Sequence, residues 1–508
     1  MSVPKIFSAE LEGIDAELVE VEADLHVGLH AFNIVGLADK AVSEAKERVN
    51  SALKNSGIKP PSKENRKITI NLAPADTKKA GSRFDLSIAL AYLLASEQIK
   101  KFDTKNSFFI GELSLDGSLR PVSGALNTAL LAKRMNIQML FLPTQSAEEA
   151  AIVDGIQIFP VQTLSELIAH LEGRALITPH KHTPLIPTHP TQTTLSEVRG
   201  QEGAKRALTI AASGGHNVLM TGTPGTGKTM LANALQSILP LPTLKEQIEI
   251  TEIWSSVGLT QENFCATHRP FRSPHHSASL SAILGGGTNP RAGEISLAHR
   301  GVLFLDELPE FHRDVLEGLR QPLEEGRICV ARARKTLSFP ARFILVAAMN
   351  PCPCGYFESD EKECTCTAYD VLRYQKKLSG PLLDRFDIHI KIPRIPIEEL
   401  RKEREIGQDT AIRETISAAR EKQKARFEKM ELPIHTNSEM RSRDVEKASM
   451  ISEDGELFLK RILEKNILST RGYYRMLKVA RTIADLESSE EIKKEHLAEA
   501  FQYRVQAE

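Results

Sequence analysis

HNVLMTGTPGTGKTMLANAL, residues 216–235, decides the fold: an apolar strand-like run, a glycine-rich turn and an amphipathic helix follow one another directly. Inside it, Gly222, Thr223, Pro224, Gly225, Thr226, Gly227, Lys228 and Thr229 match the pattern G-x-x-x-x-G-K-[ST] in the strand–turn–helix context that gives it meaning. The glycines let successive backbone N–H groups converge on a β-phosphate at a helix N-terminus. Lys228 adds a point charge toward the β and γ oxygens, and the Thr229 hydroxyl can ligate Mg²⁺.

Two more apolar runs carry polar groups at their ends. Val302–Leu305 leads into Asp306 and Glu307, which places two carboxylates where ligands of parallel α/β sheets sit. Asp306 is expected to hold Mg²⁺ through water and Glu307 to polarise the attacking water. RFILVAAMN, 342–350, delivers Asn350 to the same edge, to orient that water or touch the γ-phosphate. In GPLLDRFDIHIKIP, 380–393, Arg385 is either a charge-stabilising finger for a neighbouring subunit or the partner of Asp384 or Asp387. Short apolar strands separated by helices predict a doubly wound parallel sheet.

A chain of 508 residues exceeds one hydrophobic core, and 41% hydrophobic residues can fill several. A net charge of -1 excludes a polycation that coats nucleic acid by bulk charge, so an anionic partner must meet local patches. With no apolar leader and no run of about 18 uncharged apolar residues, a cytoplasmic protein without a membrane span is expected. Residues 176–196, LITPHKHTPLIPTHPTQTTLS, carry four prolines and no periodicity, as an extended linker would. Before it, residues 1–175 alternate strand-like KITINL, FFIGEL and MLFLP with helical GSRFDLSIALAYLLA and SGALNTALLAKRM, an α/β domain. After it come an α/β core, 197–395, and a charged helical domain, 396–508.

Four of the six cysteines fall in NPCPCGYFESDEKECTCT, 350–367. Cys352, Cys354, Cys364 and Cys366 offer four thiolates to a closed tetrahedral Zn²⁺, although zinc knuckles more often space their ligands C-x-x-C. Reduced free thiols or a redox switch are the alternatives. Cys265 and Cys329 have no assigned role. RICVARARKTLSFPARF, 327–343, alternates like two strands about a polar turn, which gathers Arg332, Arg334 and Lys335 at a hairpin tip. LGGGTNPRAGEIS, 284–296, presents Arg291 on a glycine-rich loop. These cations suit phosphate contacts without base readout. Solubilising charge is their ordinary use.

GTPGTGKT, LFLDE, AAMN, GPLLDRFD and STRGYYRMLKVARTIADL together resemble AAA+ ATPases of the helix-2-insert clade. FRSPHHSASLSAILGGGTNPRAGEISLAHRGVLFLDELPEF, LVAAMNPCPCGYF and NIVGLADKAVSEAKERVNSAL resemble the ComM/YifB family, and the likeness covers nearly the whole chain. It implies a hexameric ring that hydrolyses ATP to drive branch migration of DNA in natural transformation. By position it makes Lys228 and Thr229 Walker A, Asp306 and Glu307 Walker B, Asn350 sensor 1, and Arg385 a finger acting in trans. Arg471 becomes sensor 2, with Arg475 one turn on as the fallback, and Val198 to Gln201 lie near adenine. The first domain resembles the Lon protease fold, but Gly81 stands where the serine nucleophile belongs and Leu126 where the lysine belongs, so a non-proteolytic scaffold is expected. A protein-remodelling or metal-insertion ATPase of the magnesium-chelatase type is the competing reading.

Overall fold

The structure is a computed structural model that describes residues 3–190, 193–261, 266–287, 290–331, 336–359, 362–400, 408–464 and 468–505. The chain forms two compact units, Met1–Ile186 with Gln247–Ala266, and Pro187–Glu246 with Thr267–Glu508.

The first unit is built on a seven-stranded sheet whose order is Ala31–Val35, Arg66–Ala73, Asp15–Val27, Lys5–Glu12, Ser107–Phe109, Met139–Pro143, Gln157–Val161. Antiparallel pairs on either side of Asp15–Val27 give way to parallel ones from Lys5–Glu12 onward. Successive side chains of a strand face opposite ways, so Leu140 and Leu142 enter one apolar cluster and Phe141 the other. Phe109, Phe141 and Phe159 stack with centroids 4.9 and 4.7 Å apart. The helix Asp85–Ala95 has no polar face and is buried along nearly its whole length.

The second unit carries a five-stranded, wholly parallel sheet in the order Phe271–Arg272, Val302–Leu305, Ile344–Met349, Val218–Thr221, Ile388–Lys391. Parallel strands covered by helices on both faces read as continuous apolar runs, and Val302–Leu305 and Ile344–Met349 are buried throughout. Arg327–Ala331 and Thr336–Pro340 pair antiparallel as the expected hairpin, whose tip, with Arg332, Arg334 and Lys335, lies outside the described residues. Helices Gln408–Lys429, Ser442–Ala448, Glu453–Glu464, Thr470–Leu486 and Lys494–Val505 follow. They share one apolar cluster with the sheet: Ile416, Met476 and Ile483 pack in the same core as Val218 and Ile388. The fold is therefore α/β, with a parallel P-loop sheet and a C-terminal helical region.

Within those helices Asp485, 2% exposed, accepts from Arg426, from Asn437 Nδ2 at 2.9 Å and from Arg481 Nε at 3.2 Å. Removing the anion strands two guanidiniums in a poorly solvated site, which ordinarily costs more than the pairs contributed. Asp485→Ala should lower unfolding free energy by about 3–5 kcal/mol in chemical denaturation. A loss under about 1 kcal/mol would show that water reaches the arginines.

Candidate active site

Three neighbouring parallel strands end at one edge, and each delivers a site residue there. After Val218–Thr221 the chain turns through Gly225 and Gly227, at φ +79° and +87°, a region costly for any residue with a Cβ. Gly222 allows a close approach instead: a Cβ there would lie 2.6 Å from the Ile392 carbonyl oxygen. The Thr226 hydroxyl donates to the Thr223 carbonyl at 2.9 Å and closes the turn, and the helix Lys228–Ile238 starts at once. Lys228 is buried, and its Nζ donates to Gly222 O at 2.7 Å, Thr223 O at 2.9 Å and Asn350 Oδ1 at 3.1 Å. Burial lowers its pKa from the ordinary lysine value, with Asp306 opposing.

Thr229 Oγ1 donates to Asp306 Oδ2 at 2.8 Å, which puts a hydroxyl and a carboxylate oxygen side by side at the sheet edge. That is a hard-oxygen pair suited to Mg²⁺, which keeps most of its waters and takes few protein ligands. The other Asp306 oxygen accepts the Glu307 backbone N–H at 2.9 Å, and Glu307 takes φ +51°. Its exposed carboxylate stands 3.5 Å from His276 Nδ1. The His276 ring meets the Phe311 ring edge-on, 6.4 Å between centroids, and lies 4.1 Å from His275. From the sequence, His275 and His276 are set aside as metal ligands and expected to make contacts within the insertion or to a subunit neighbour; the contact to Glu307, 31 positions away, leaves no local signature.

Arg385 lies elsewhere. Val218–Thr221 and Ile388–Lys391 run parallel in register, so Arg385, just before the latter, sits at the amino end of the sheet while Lys228 follows its carboxyl end. Four strand residues, roughly 13 Å, separate the two levels. The Arg385 guanidinium pairs with Glu324 and bonds the Pro381 carbonyl. Neither acidic neighbour considered from sequence is its partner: Asp384 pairs with Arg504 at 3.8 Å and Asp387 with Arg475 at 2.7 Å. Asp387 is held well below the usual carboxylate range, because Arg475 and His216 outweigh the burial that would raise it.

Around Arg385 opens a cavity of about 370 Å³ lined by Arg441, Arg471, Arg475, Lys478 and Glu324. Arg471 is exposed at its mouth, whereas Arg475 is committed to Asp387 and, at 3.1 Å, to the Arg385 carbonyl. Burial brings Lys478 down to about 8. Arg441 and Lys478 were not legible beforehand; they join the cavity only through helix packing. Val198 is in the apolar core and Gln201 Nε2 donates to Pro393 O at 2.6 Å. Arg291 is exposed on its loop, bridged to Gly286.

In the first unit, Gly81 takes φ +81° and its N–H bonds Asp39 at 3.2 Å. The Ser82 hydroxyl is engaged by Glu112, and Leu126 is fully buried among apolar side chains. A nearby amine that sequence reading passed over, Lys79, is fully buried and bonds the Pro74 carbonyl.

Fold and site together define a P-loop AAA+ protein of the magnesium-chelatase type. Family models described as magnesium chelatase subunit ChlI match residues 194–400 and 21–146, and a model of that subunit's C-terminal region matches 408–504. The chain is 43% identical over 510 residues to the competence protein ComM of Haemophilus influenzae, covering 99% of this chain and 98% of that one. It is 42% identical over 506 residues to the uncharacterized protein YifB of Escherichia coli, covering 99% and 97%. A stretch covering 31% of the chain is 25% identical over 166 residues to 20% of the Lon protease of Rhizobium meliloti. The chain belongs to the ComM/YifB family of magnesium-chelatase-like AAA+ proteins. Among the described residues, no helix is long and apolar enough to cross a membrane.

Lys228→Ala should abolish binding of a fluorescent ATP analogue, whereas Glu307→Gln should bind it normally and lose turnover by about 10²–10³-fold, the scale of a lost catalytic acid–base group. Equal loss of binding in both variants would contradict the division of roles.

Proposed function

We propose that the protein is an ATP-driven DNA motor that promotes branch migration of recombination intermediates during natural transformation. The observation that carries this reading is likeness to a competence protein along 99% of the chain, combined with a P-loop at one end of the sheet and Arg385 at the other. Lys228 and the backbone N–H groups of Gly225 to Thr229 bind the ATP phosphates. Thr229 and Asp306 hold Mg²⁺, which supplies charge neutralisation between the β and γ oxygens. Glu307 polarises the attacking water, and Asn350, bonded to Lys228, senses the γ-phosphate.

Arg385 and Arg471 complete the site of a second copy, since Arg385 cannot reach its own. Closed repetition of that contact gives a homo-oligomeric ring, with a hexamer as the expected form. Arg291, Arg332, Arg334 and Lys335 would then face single-stranded, duplex or branched DNA and grip phosphates without reading bases. Val198 and Gln201 flank the adenine. Cys352, Cys354, Cys364 and Cys366 hold a structural Zn²⁺. Residues 1–175 serve as a non-proteolytic scaffold, 176–196 as linker, 197–395 as motor core and 396–508 as lid, in a cytoplasmic protein. The match of the ATPase core to a magnesium chelatase subunit favours a second reading, a protein-remodelling or metal-insertion ATPase.

ATP turnover should rise several-fold with DNA, most with four-way junctions, and a labelled junction should be resolved only when ATP is hydrolysable. Absence of stimulation by any DNA would favour the second reading. Arg385→Ala should abolish turnover alone but regain it when mixed with Lys228→Ala, because each supplies the half-site the other lacks. Failure of that complementation would argue against a shared site.

A further inference from the structure

Beyond the sheet edge, the loop that carries the sulfur cluster rests on the phosphate loop. The four Sγ atoms lie within 4.8 Å of one another, with Cys352 to Cys354 at 3.4 Å, Cys354 to Cys364 at 3.5 Å and Cys352 to Cys364 at 3.7 Å. A tetrahedron with Zn–S bonds of about 2.3 Å has edges of about 3.8 Å, whereas a disulfide needs about 2.05 Å. The spacing is that of thiolates around one soft ion. Backbone N–H groups also point at sulfur: Cys354 N to Cys366 Sγ at 3.4 Å and Phe357 N to Cys352 Sγ at 3.3 Å. Such donors orient and partly neutralise metal-bound thiolates.

The loop reverses at Gly355, φ +87°, whose N–H returns to the Cys352 carbonyl at 3.0 Å. A Cβ on Gly355 would lie 2.6 Å from Cδ and 2.7 Å from Cγ of Pro224, so the loop backbone rests directly on the phosphate-binding turn. Two residues before Cys352, Asn350 holds the Lys228 ammonium. One short segment thus fixes the turn at two points, Pro224 and Lys228. Elsewhere the loop is tied at its rim, by Lys391 to Glu358 at 3.0 Å and by Gln375 Nε2 to Pro351 O at 3.3 Å.

Resting on the zinc assignment above, we propose that this tetrathiolate metal centre positions the phosphate loop, so that metal occupancy sets affinity for nucleotide triphosphate. The ion cross-links Cys352 and Cys354 to Cys364 and Cys366 and closes the acidic loop between them. Without that link, ordering the loop costs conformational entropy that a bare turn must supply unaided. The backing for Pro224 is then lost, and phosphate-binding N–H groups that depended on a preset turn must be ordered by the ligand itself.

The test uses the full chain without DNA. Elemental analysis of purified protein should find about one zinc per chain. Four thiols should resist a thiol reagent until a mercurial releases the metal by binding their sulfurs, and the Kd of a fluorescent ATP analogue should then rise about tenfold and recover once excess thiol has stripped the mercurial and zinc is added back. Lys228→Ala should keep its zinc while losing nucleotide. Gly355→Val should also keep its zinc yet weaken nucleotide binding, because it pushes on Pro224; it carries the test if Cys354→Ser with Cys364→Ser fails to fold. Protein with no bound metal and freely titrating or disulfide-linked thiols would overturn the proposal. So would metal release, or Gly355→Val, that leaves the Kd unchanged. Because no arm involves DNA, failure of the motor reading would leave these outcomes readable.

Discussion

The structure is organised around one uncomfortable charge. The Lys228 ammonium is buried against three neutral oxygens, two from its own turn and one from Asn350, and among the described residues has no carboxylate in bonding distance to neutralise it. Neutral acceptors satisfy its hydrogens but leave its field free, which is what an anionic ligand needs to find. Everything nearby serves to keep that arrangement: glycines where the backbone reverses, a parallel sheet whose strands end at one level, and an asparagine delivered by the adjacent strand.

The same sheet separates two sets of charged side chains. Its carboxyl edge collects Lys228, Thr229, Asp306, Glu307 and Asn350, while its amino edge collects Arg385 and the cationic cavity containing Arg441, Arg471 and Lys478. A parallel sheet makes this separation unavoidable, because residues before a strand and residues after its neighbour are a full strand length apart. Within one chain the two sets cannot meet.

Much of the carboxyl edge was legible because its signals are local. Lys228 announces itself within eight residues, and Asp306 and Asn350 each close an unbroken apolar run. The parallel sheet and the hairpin beyond residue 327 followed from the same periodicities. What escaped was set by packing between distant segments. Glu324 captures Arg385 across 61 positions, displacing the sequence neighbours Asp384 and Asp387, which pair with the C-terminal arginines Arg504 and Arg475. His276 meets Glu307 through the strand pairing of Phe271–Arg272 with Val302–Leu305. Cysteine spacing hinted at a metal, but only folding brings the four sulfurs together and sets Gly355 on Pro224. The specific partners assigned to these motifs came from family resemblance and not from the residues.

The helical region does more than cover the core. Arg475 grips the Arg385 carbonyl and Asp387, and Arg504 grips the Phe386 carbonyl at 2.6 Å, so two C-terminal helices clamp the segment that carries Arg385. Arg471 projects from the first turn of one of those helices. Arg385 and Arg471 are thereby geared together: under the proposed function, neither would advance on a neighbour's triphosphate while the other stays behind. In that reading a phosphate lost at the junction would release both at once, converting a graded chemical event into a single mechanical click.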